Sequence, residues 1–215
     1  MKDFVIIGAS GFGREVYETT LLINENKPTY NVLGFADDDQ KLWGEKINGL
    51  ICIGGMEALK QLAENQEIYS VIAIANAKAK KIIAAKLDGF VQWDNVIHPE
   101  AHVSRFAEIG YGNIFQCQVV ISPNATIGNH CMLNGHSGLG HDASMDDFSS
   151  VMSHCDIMGG VHVGKAVYMG AGSRIIQYLE VGHDAFICAG AVVFKNVGAG
   201  DKVLGNPAKV IGSLF

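Results

Sequence analysis

From Ile97 onward, every sixth residue is large and apolar. The series runs Ile97, Val103, Ile109, Phe115, Ile121, Ile127, Leu133, Leu139, Met145, Val151, Ile157, Val163, Met169, Ile175, Val181, Ile187, Val193. If about 0.4 of residues are of this type, one such register arises by chance at roughly 10⁻⁷, when matches to a template are counted. The residue four positions after each is mostly small (Ala101, Ala107, Ala125, Cys131, Ser137, Ala143, Ser149, Cys155, Ser173, Ala185, Ala191), and the residue directly after is often glycine. A six-residue period of this kind predicts a parallel β-helix in which three hexads close one triangular coil of eighteen residues. The large side chain fills the prism and the small one lets the chain turn the corner. Successive coils then pair at ordinary strand spacing, about 4.8 Å. Each buried large side chain stabilises the prism by roughly 1.5–3 kcal/mol, against the entropy of ordering the chain. Ala199 and Gly205 break the frame, so the repeat ends soon after Val193. The pattern does not set the hand of the helix.

The first ninety residues follow different rules. Phe4–Ile7 reads as a buried strand ending at Gly8, and residues 14 to 23 read as a helix. Val32–Ala36 is a second apolar strand that runs into Asp37, Asp38 and Asp39. Helix is expected over 56–66 and 77–87, with a strand over 70–74 between them. Strand alternating with helix predicts a small, mostly parallel α/β sheet. The expected domains are therefore 1–92, α/β and Rossmann-like, and 93–215, an all-β helix with a C-terminal cap.

Composition narrows the function classes. A formal charge of −6 argues against a nucleic-acid or anionic-membrane partner. Five cysteines, an odd number without C-x-x-C spacing, predict a reduced, cytoplasmic protein. The short apolar run at the N-terminus is too brief for a signal-peptide core or a membrane span.

Four motifs in fixed order carry a resemblance: Gly8-Ala-Ser-Gly-Phe-Gly-Arg-Glu15, Gly34-Phe-Ala-Asp-Asp-Asp39, Gly140-His-Asp142 and Gly205-Asn-Pro-Ala-Lys209. Together with the hexad repeat they resemble the hexapeptide-repeat sugar acyltransferases of the sialic-acid O-acetyltransferase type, which include the nucleotide-amino-sugar N-acetyltransferases. The resemblance covers nearly the whole chain. It implies a left-handed β-helix that binds acetyl-CoA, an N-terminal domain that holds a nucleotide-linked sugar, and a homotrimer with active sites between neighbours. It also implies a role in surface glycan biosynthesis.

Site residues follow by position. His141 is the third residue of its hexad, and Gly159, eighteen residues on, lies directly above it on the next coil. A histidine beside a glycine N–H suits acyl transfer: the imidazole takes a proton from the attacking group and the N–H stabilises the thioester oxygen as it gains charge. The resemblance makes His141 the general base, Asp142 its acidic partner and the Gly159 N–H the oxyanion donor. Some relatives carry a second histidine nine residues after the base. Ser150 stands there, able to hydrogen-bond a ligand but not to supply an imidazole. The resemblance places cofactor contacts at Ala171 and Ala189, which are eighteen apart and stack, and a CoA phosphate near Lys209. Between strand and helix, Gly8-x-x-Gly11-x-Gly13 lets backbone N–H groups approach a phosphate. A nucleotide sugar would there meet Ala9, Ser10, Gly11, Asp37, Asp38 and Gly54. A solvated turn explains the acidic run equally well. His136 and His154, also eighteen apart, read as stacked polar corner residues.

Rival readings remain. His136 and His141 reproduce the five-residue spacing of two zinc ligands in the γ-type carbonic anhydrases. Glu100 stands where that family has its third histidine, and that family lacks the N-terminal domain, so no metal is expected. Zinc does accept carboxylate. A non-catalytic nucleotide-sugar sensor is a further alternative, opposed by the retention of His141, Asp142 and Gly159. No residue separates N- from O-acetylation, of sialic acid or a related sugar, and none identifies the sugar or its nucleotide.

Overall fold

The computed structural model describes residues 1–213; the last two residues of the expected second domain, 214 and 215, lie outside them. Contacts divide the chain into two units, residues 1–99 with 112–114 and residues 100–111 with 115 onward.

The first unit is a six-stranded sheet in the order β3-β4-β2-β1-β5-β6. Its elements are β1 (Lys2–Ile7), α1 (Gly11–Asn26), β2 (Tyr30–Ala36), β3 (Lys46–Ile47), β4 (Leu50–Gly54), α2 (Met56–Ala63), β5 (Tyr69–Ile72), α3 (Ala77–Leu87) and β6 (Gln92–Trp93). β1 is central because Phe4, Val5, Ile6 and Ile7 form an unbroken apolar run, all fully buried between parallel β2 and β5. Helix α3 spans the residues expected of it, and the Asn76 side chain caps it by accepting from the Ala79 N–H. Helix α1 starts three residues earlier than its apolar pattern suggested, inside the glycine loop. The antiparallel pair β3–β4 was not expected. It turns through Asn48 and Gly49, both at positive φ (50° and 84°), the backbone that a two-residue hairpin requires. Gly13 admits no side chain: a Cβ there would sit 2.0 Å from the Gly8 carbonyl oxygen, so helix and strand end are pressed together.

The second unit is a left-handed parallel β-helix. Its two-residue rungs stack at a constant offset of eighteen, Val120 on His102 and Gly138 on Val120 for example. One face carries the rungs at 102–103, 120–121, 138–139, 156–157, 174–175 and 192–193; we call it the first face. The second face carries 108–109, 126–127, 144–145, 162–163 and 180–181, and the third includes 132–133, 150–151, 168–169 and 186–187. Every member of the apolar series from Phe115 to Val193 is at most 4% exposed.

The corners are turned by the fourth residue of the hexad, not by the small fifth one. Positions 118, 124, 130, 136, 142, 148, 154, 166, 178 and 184 all lie near φ +60°. From Ala125 to Ala191 the small residue is tucked inside the corner and buried, and where it is serine its hydroxyl is satisfied. Ser137 donates to the Met152 carbonyl and Ser149 to the Gly164 carbonyl. The last coil is two residues short, since Val197 bridges to Val181 and Lys202 pairs with Phe186. This is the break in frame after Val193. An antiparallel hairpin, Asp201–Gly205 with Ala208–Ser213, then closes the end of the third face.

Candidate active site

His141 stands at the corner between the first and second faces, on a coil whose next turn brings Gly159 above it. The ring is held from one side: its Nδ1 lies 2.7 Å from Asp142 Oδ2. A carboxylate only accepts, so Nδ1 carries the proton and Nε2 is left as a free acceptor. That Nε2 lies 2.6 Å from the point where a Cβ on Gly159 would sit, so the imidazole covers the face of the glycine and any side chain there would displace it. No acceptor for the Gly159 N–H is found among the described residues, while its carbonyl accepts from the Tyr178 N–H at 3.1 Å. Gly140, one coil below, keeps that N–H uncovered, because a Cβ on it would lie 2.5 Å from the Gly159 nitrogen. Asp142 is steadied from the coil beneath, where Asn124 Nδ2 donates to its Oδ1 at 3.0 Å. The hydrogen bond from His141 first, and that from Asn124 second, hold the Asp142 carboxyl below the usual carboxylate range.

The chain contains a near copy of this motif. Val181-Gly-His-Asp-Ala185 repeats Leu139-Gly-His-Asp-Ala143, and His183 Nδ1 lies 3.0 Å from Asp184 Oδ2. The two copies are seven hexads apart, so the second falls at a different corner, between the second and third faces. There Ala199 is the residue overhead, its nitrogen 2.4 Å from a Cβ position on Gly182. The position eighteen residues before Asp184 is Ala166, which has no side-chain donor.

Ser150 lies on the third face and is 1% exposed, away from the His141 corner. His136 and His154 stack at 4.7 Å with planes 2° apart, at the corner between the third and first faces. They and His141 thus occupy different corners, which does not direct His136 and His141 at one ion. Glu100 is engaged by Cys117, whose Sγ lies 3.0 Å from Glu100 Oε2; that carboxylate pushes the thiol pKa up.

Ala171 and Ala189 do come together. They line one groove of about 610 Å³ with Asn134, Met152, Ser153, Tyr168, Phe186, Cys188 and Lys202. Tyr168 and Phe186 stack at 4.7 Å and the Lys202 ammonium lies 5.2 Å from the Phe186 ring centre. Lys209 lines a separate cleft of about 350 Å³, beside Lys195, Val203 and Pro207. The cation of the groove is therefore Lys202, which the sequence did not single out because its register follows from the shortened last coil.

In the first unit the candidate residues divide. Asp37 Oδ2 accepts from the Ala9 N–H at 2.9 Å and Oδ1 from the Asp39 N–H at 2.9 Å, so this carboxylate ties the glycine loop to the end of β2. Asp38 Oδ1 accepts from the Met56 N–H at the start of α2. Ser10 precedes α1 without making a side-chain cap, which leaves first-turn N–H groups of Gly11 and its neighbours available to an anion. Asp38 and Gly54 line a cleft of about 490 Å³ with Trp43, Gly55 and Met56. Gly55 is the residue this cleft needs bare, since a Cβ there would sit 2.7 Å from Asp38 Oδ1 and 3.3 Å from the Trp43 ring.

Residues 3–87 match the family model of the PglD N-terminal domain. The whole chain superposes on a variant of perosamine N-acetyltransferase from Caulobacter crescentus, solved with CoA and GDP-perosamine. The TM-score is 0.91 at 26% identity, covering 99% of this chain and 98% of that one. It also superposes on the acetyltransferase domain of PglB from Neisseria gonorrhoeae, with TM-score 0.88 and 25% identity over 98% of this chain and 100% of that one. The chain thus resembles the hexapeptide-repeat nucleotide-sugar acetyltransferases over its full length. A serine acetyltransferase from Buchnera aphidicola is 33% identical over 108 residues, 45% of this chain and 39% of that protein. The chain spans little more than a third of the curated relatives it matches.

Proposed function

We propose that this protein is an acetyltransferase that moves an acetyl group from acetyl-CoA directly to an amino group of a nucleotide-linked sugar. The observation that carries this reading is the His141 imidazole, braced by Asp142 through Nδ1 and presenting Nε2 over Gly159. The full-length likeness to a perosamine N-acetyltransferase solved with CoA and GDP-perosamine supports the same two substrate classes here, acetyl-CoA and a nucleotide-linked sugar.

The sugar amine attacks the thioester carbonyl carbon, and His141 Nε2 takes the proton that the amine loses as the C–N bond forms. The carbonyl oxygen becomes an oxyanion facing the Gly159 N–H. When the C–S bond breaks, the CoA sulfur leaves with the proton now on the imidazolium, and the base is regenerated. General base catalysis of this kind contributes typically 10²–10⁴-fold, and one oxyanion donor about 10²–10³-fold. No covalent enzyme intermediate and no metal enters the scheme. The groove with Ala171, Ala189 and Lys202 takes the pantetheine arm and a phosphate. The first unit takes the nucleotide, through the α1 N-terminus and the cleft of Asp38, Gly54 and Trp43.

The working form is a homotrimer, a reading supported by exposed apolar side chains along the first face and the His141 corner: Phe106, Val120, Met158, Tyr178 and Phe194. No helix among the described residues is long and apolar enough to cross a membrane. Five cysteines, an odd number without C-x-x-C spacing, support a cytoplasmic setting, in surface glycan biosynthesis.

The deciding experiment is thiol release from acetyl-CoA against UDP-, GDP-, dTDP- and CMP-linked sugars with amino or hydroxyl acceptors. Turnover is expected with one or more of the amino sugars. Turnover with hydroxyl acceptors alone would reassign the chemistry to O-acetylation, and none with any sugar would overturn the reading.

A further inference from the structure

We propose that Asn124 is a positioning residue that acts through Asp142, from the coil below, to select the tautomer of His141. The inference rests on the acetyltransferase reading for its consequence, but not for its geometry.

The two copies share their pentapeptide pattern, their left-handed aspartate (φ 58° at Asp142, 57° at Asp184) and their His–Asp hydrogen bond. They differ in what the eighteen-residue stacking places around them. Overhead stands Gly159 for one and Ala199 for the other. Beneath stands Asn124 for one and Ala166 for the other.

Asp142 is exposed, and an exposed carboxylate turns freely about its side-chain bonds unless both oxygens are engaged. Oδ2 accepts from His141, and Oδ1 accepts from Asn124 Nδ2 at 3.0 Å. The amide thus holds the carboxylate in the one rotation that keeps Oδ2 aimed at Nδ1. An imidazole released from that acceptor redistributes its proton between the two nitrogens, and every molecule protonated at Nε2 lacks a base. A hydrogen-bonded carboxylate behind the ring fixes tautomer and ring orientation in the same way in metal-binding histidines.

The test uses two variants chosen for the corner's backbone. Asn124 lies at φ 59°, so Asn124→Gly removes the donor without straining the turn, and Asn124→Asp keeps shape and turn preference but replaces the donor with an acceptor. The first readout is independent of activity: nitrogen chemical shifts of the His141 ring in the intact protein above neutral pH, assigned by loss of the signal in His141→Asn. The native protein is expected to show the Nδ1–H form, and both variants a shift toward Nε2–H. The second readout is turnover, with kcat expected to fall about tenfold or more while KM for acetyl-CoA stays within twofold. Native tautomer and native kcat in both variants would sink the proposal. A tautomer shift without measurable turnover in the native protein would uphold Asn124's role and reject the acetyltransferase reading instead.

Discussion

At the scale of single residues, chemistry depends on which neighbour the coil period delivers. His141 and His183 sit in almost the same pentapeptide, yet only His141 has a bare glycine overhead. His141→Ala is expected to lower kcat by at least about 10², with folding and acetyl-CoA binding retained. His183→Ala is expected to leave kcat within twofold. Steady-state kinetics on both variants, with far-ultraviolet circular dichroism as the folding check, separates the copies; equal losses would mean that the corner does not matter. The Asp142 carboxyl is held below its ordinary range, so in the folded state it stays ionised where an unfolded chain would take up a proton. The sign follows: its contribution to stability is complete above the ordinary carboxylate pKa of about 3.9 and is lost as pH falls through the lower folded value. A carboxyl-carbon titration of Asp142 should therefore give a midpoint below the ordinary range, and Asn124→Gly should move that midpoint upward.

At the scale of elements, the corner is the unit that repeats. Each coil turns by placing one residue in the left-handed region, which costs roughly 1–2 kcal/mol for a residue with a Cβ. Asn, Asp and Gly tolerate it, and they recur at 124, 142, 184, 112, 160, 172 and 190. Ala166 does not belong to that class, yet it lies at φ 60°. Ala166→Gly relieves the strain and loses only about 0.4–1 kcal/mol through the freer unfolded chain. The expected outcome is a small gain in stability, between about zero and 1.6 kcal/mol on these figures, visible as a raised midpoint of thermal unfolding. A lowered midpoint would show that the Ala166 methyl, buried at this corner, contributes more by packing than its backbone costs. Much of this scale was readable in advance. Alternating elements in the first unit and the hexad frame in the second follow from periodicity alone. The β3–β4 hairpin is not legible from periodicity, although Asn48-Gly49 is a strong turn signal, because the surrounding strands are only two and five residues long.

At the scale of the whole molecule, the His141 corner is flanked by exposed apolar side chains that water does not favour. Phe106 is 66% and Tyr178 76% exposed, and Tyr178 leans over Gly160, one coil above His141 and Asp142. A homotrimer that covers them would have a mass of about 69 kDa, three times the 23.0 kDa of one chain. Sedimentation equilibrium on the native protein is expected to give that mass. The pair Phe106→Glu and Tyr178→Glu is expected to shift it toward one chain and to abolish thiol release. A native monomer with full activity would remove the shared-site reading.

The sequence by itself determined the period, and the period carries most of the architecture. An apolar residue every six places can be buried only if the chain coils three hexads to a turn, and constant spacing then puts Gly159 over His141 and His154 over His136. It did not determine which polar atoms meet, because hydrogen bonds depend on side-chain direction and not on register alone. Only the tertiary structure showed that Asn124 reaches up to Asp142, that Asp37 is engaged by the Ala9 N–H, and that Ser150 is enclosed. It also placed Lys202 rather than Lys209 in the groove of Ala171 and Ala189, for a physical reason. Where the last coil loses two residues the period ends, and beyond that point packing of the closing hairpin decides each residue's place.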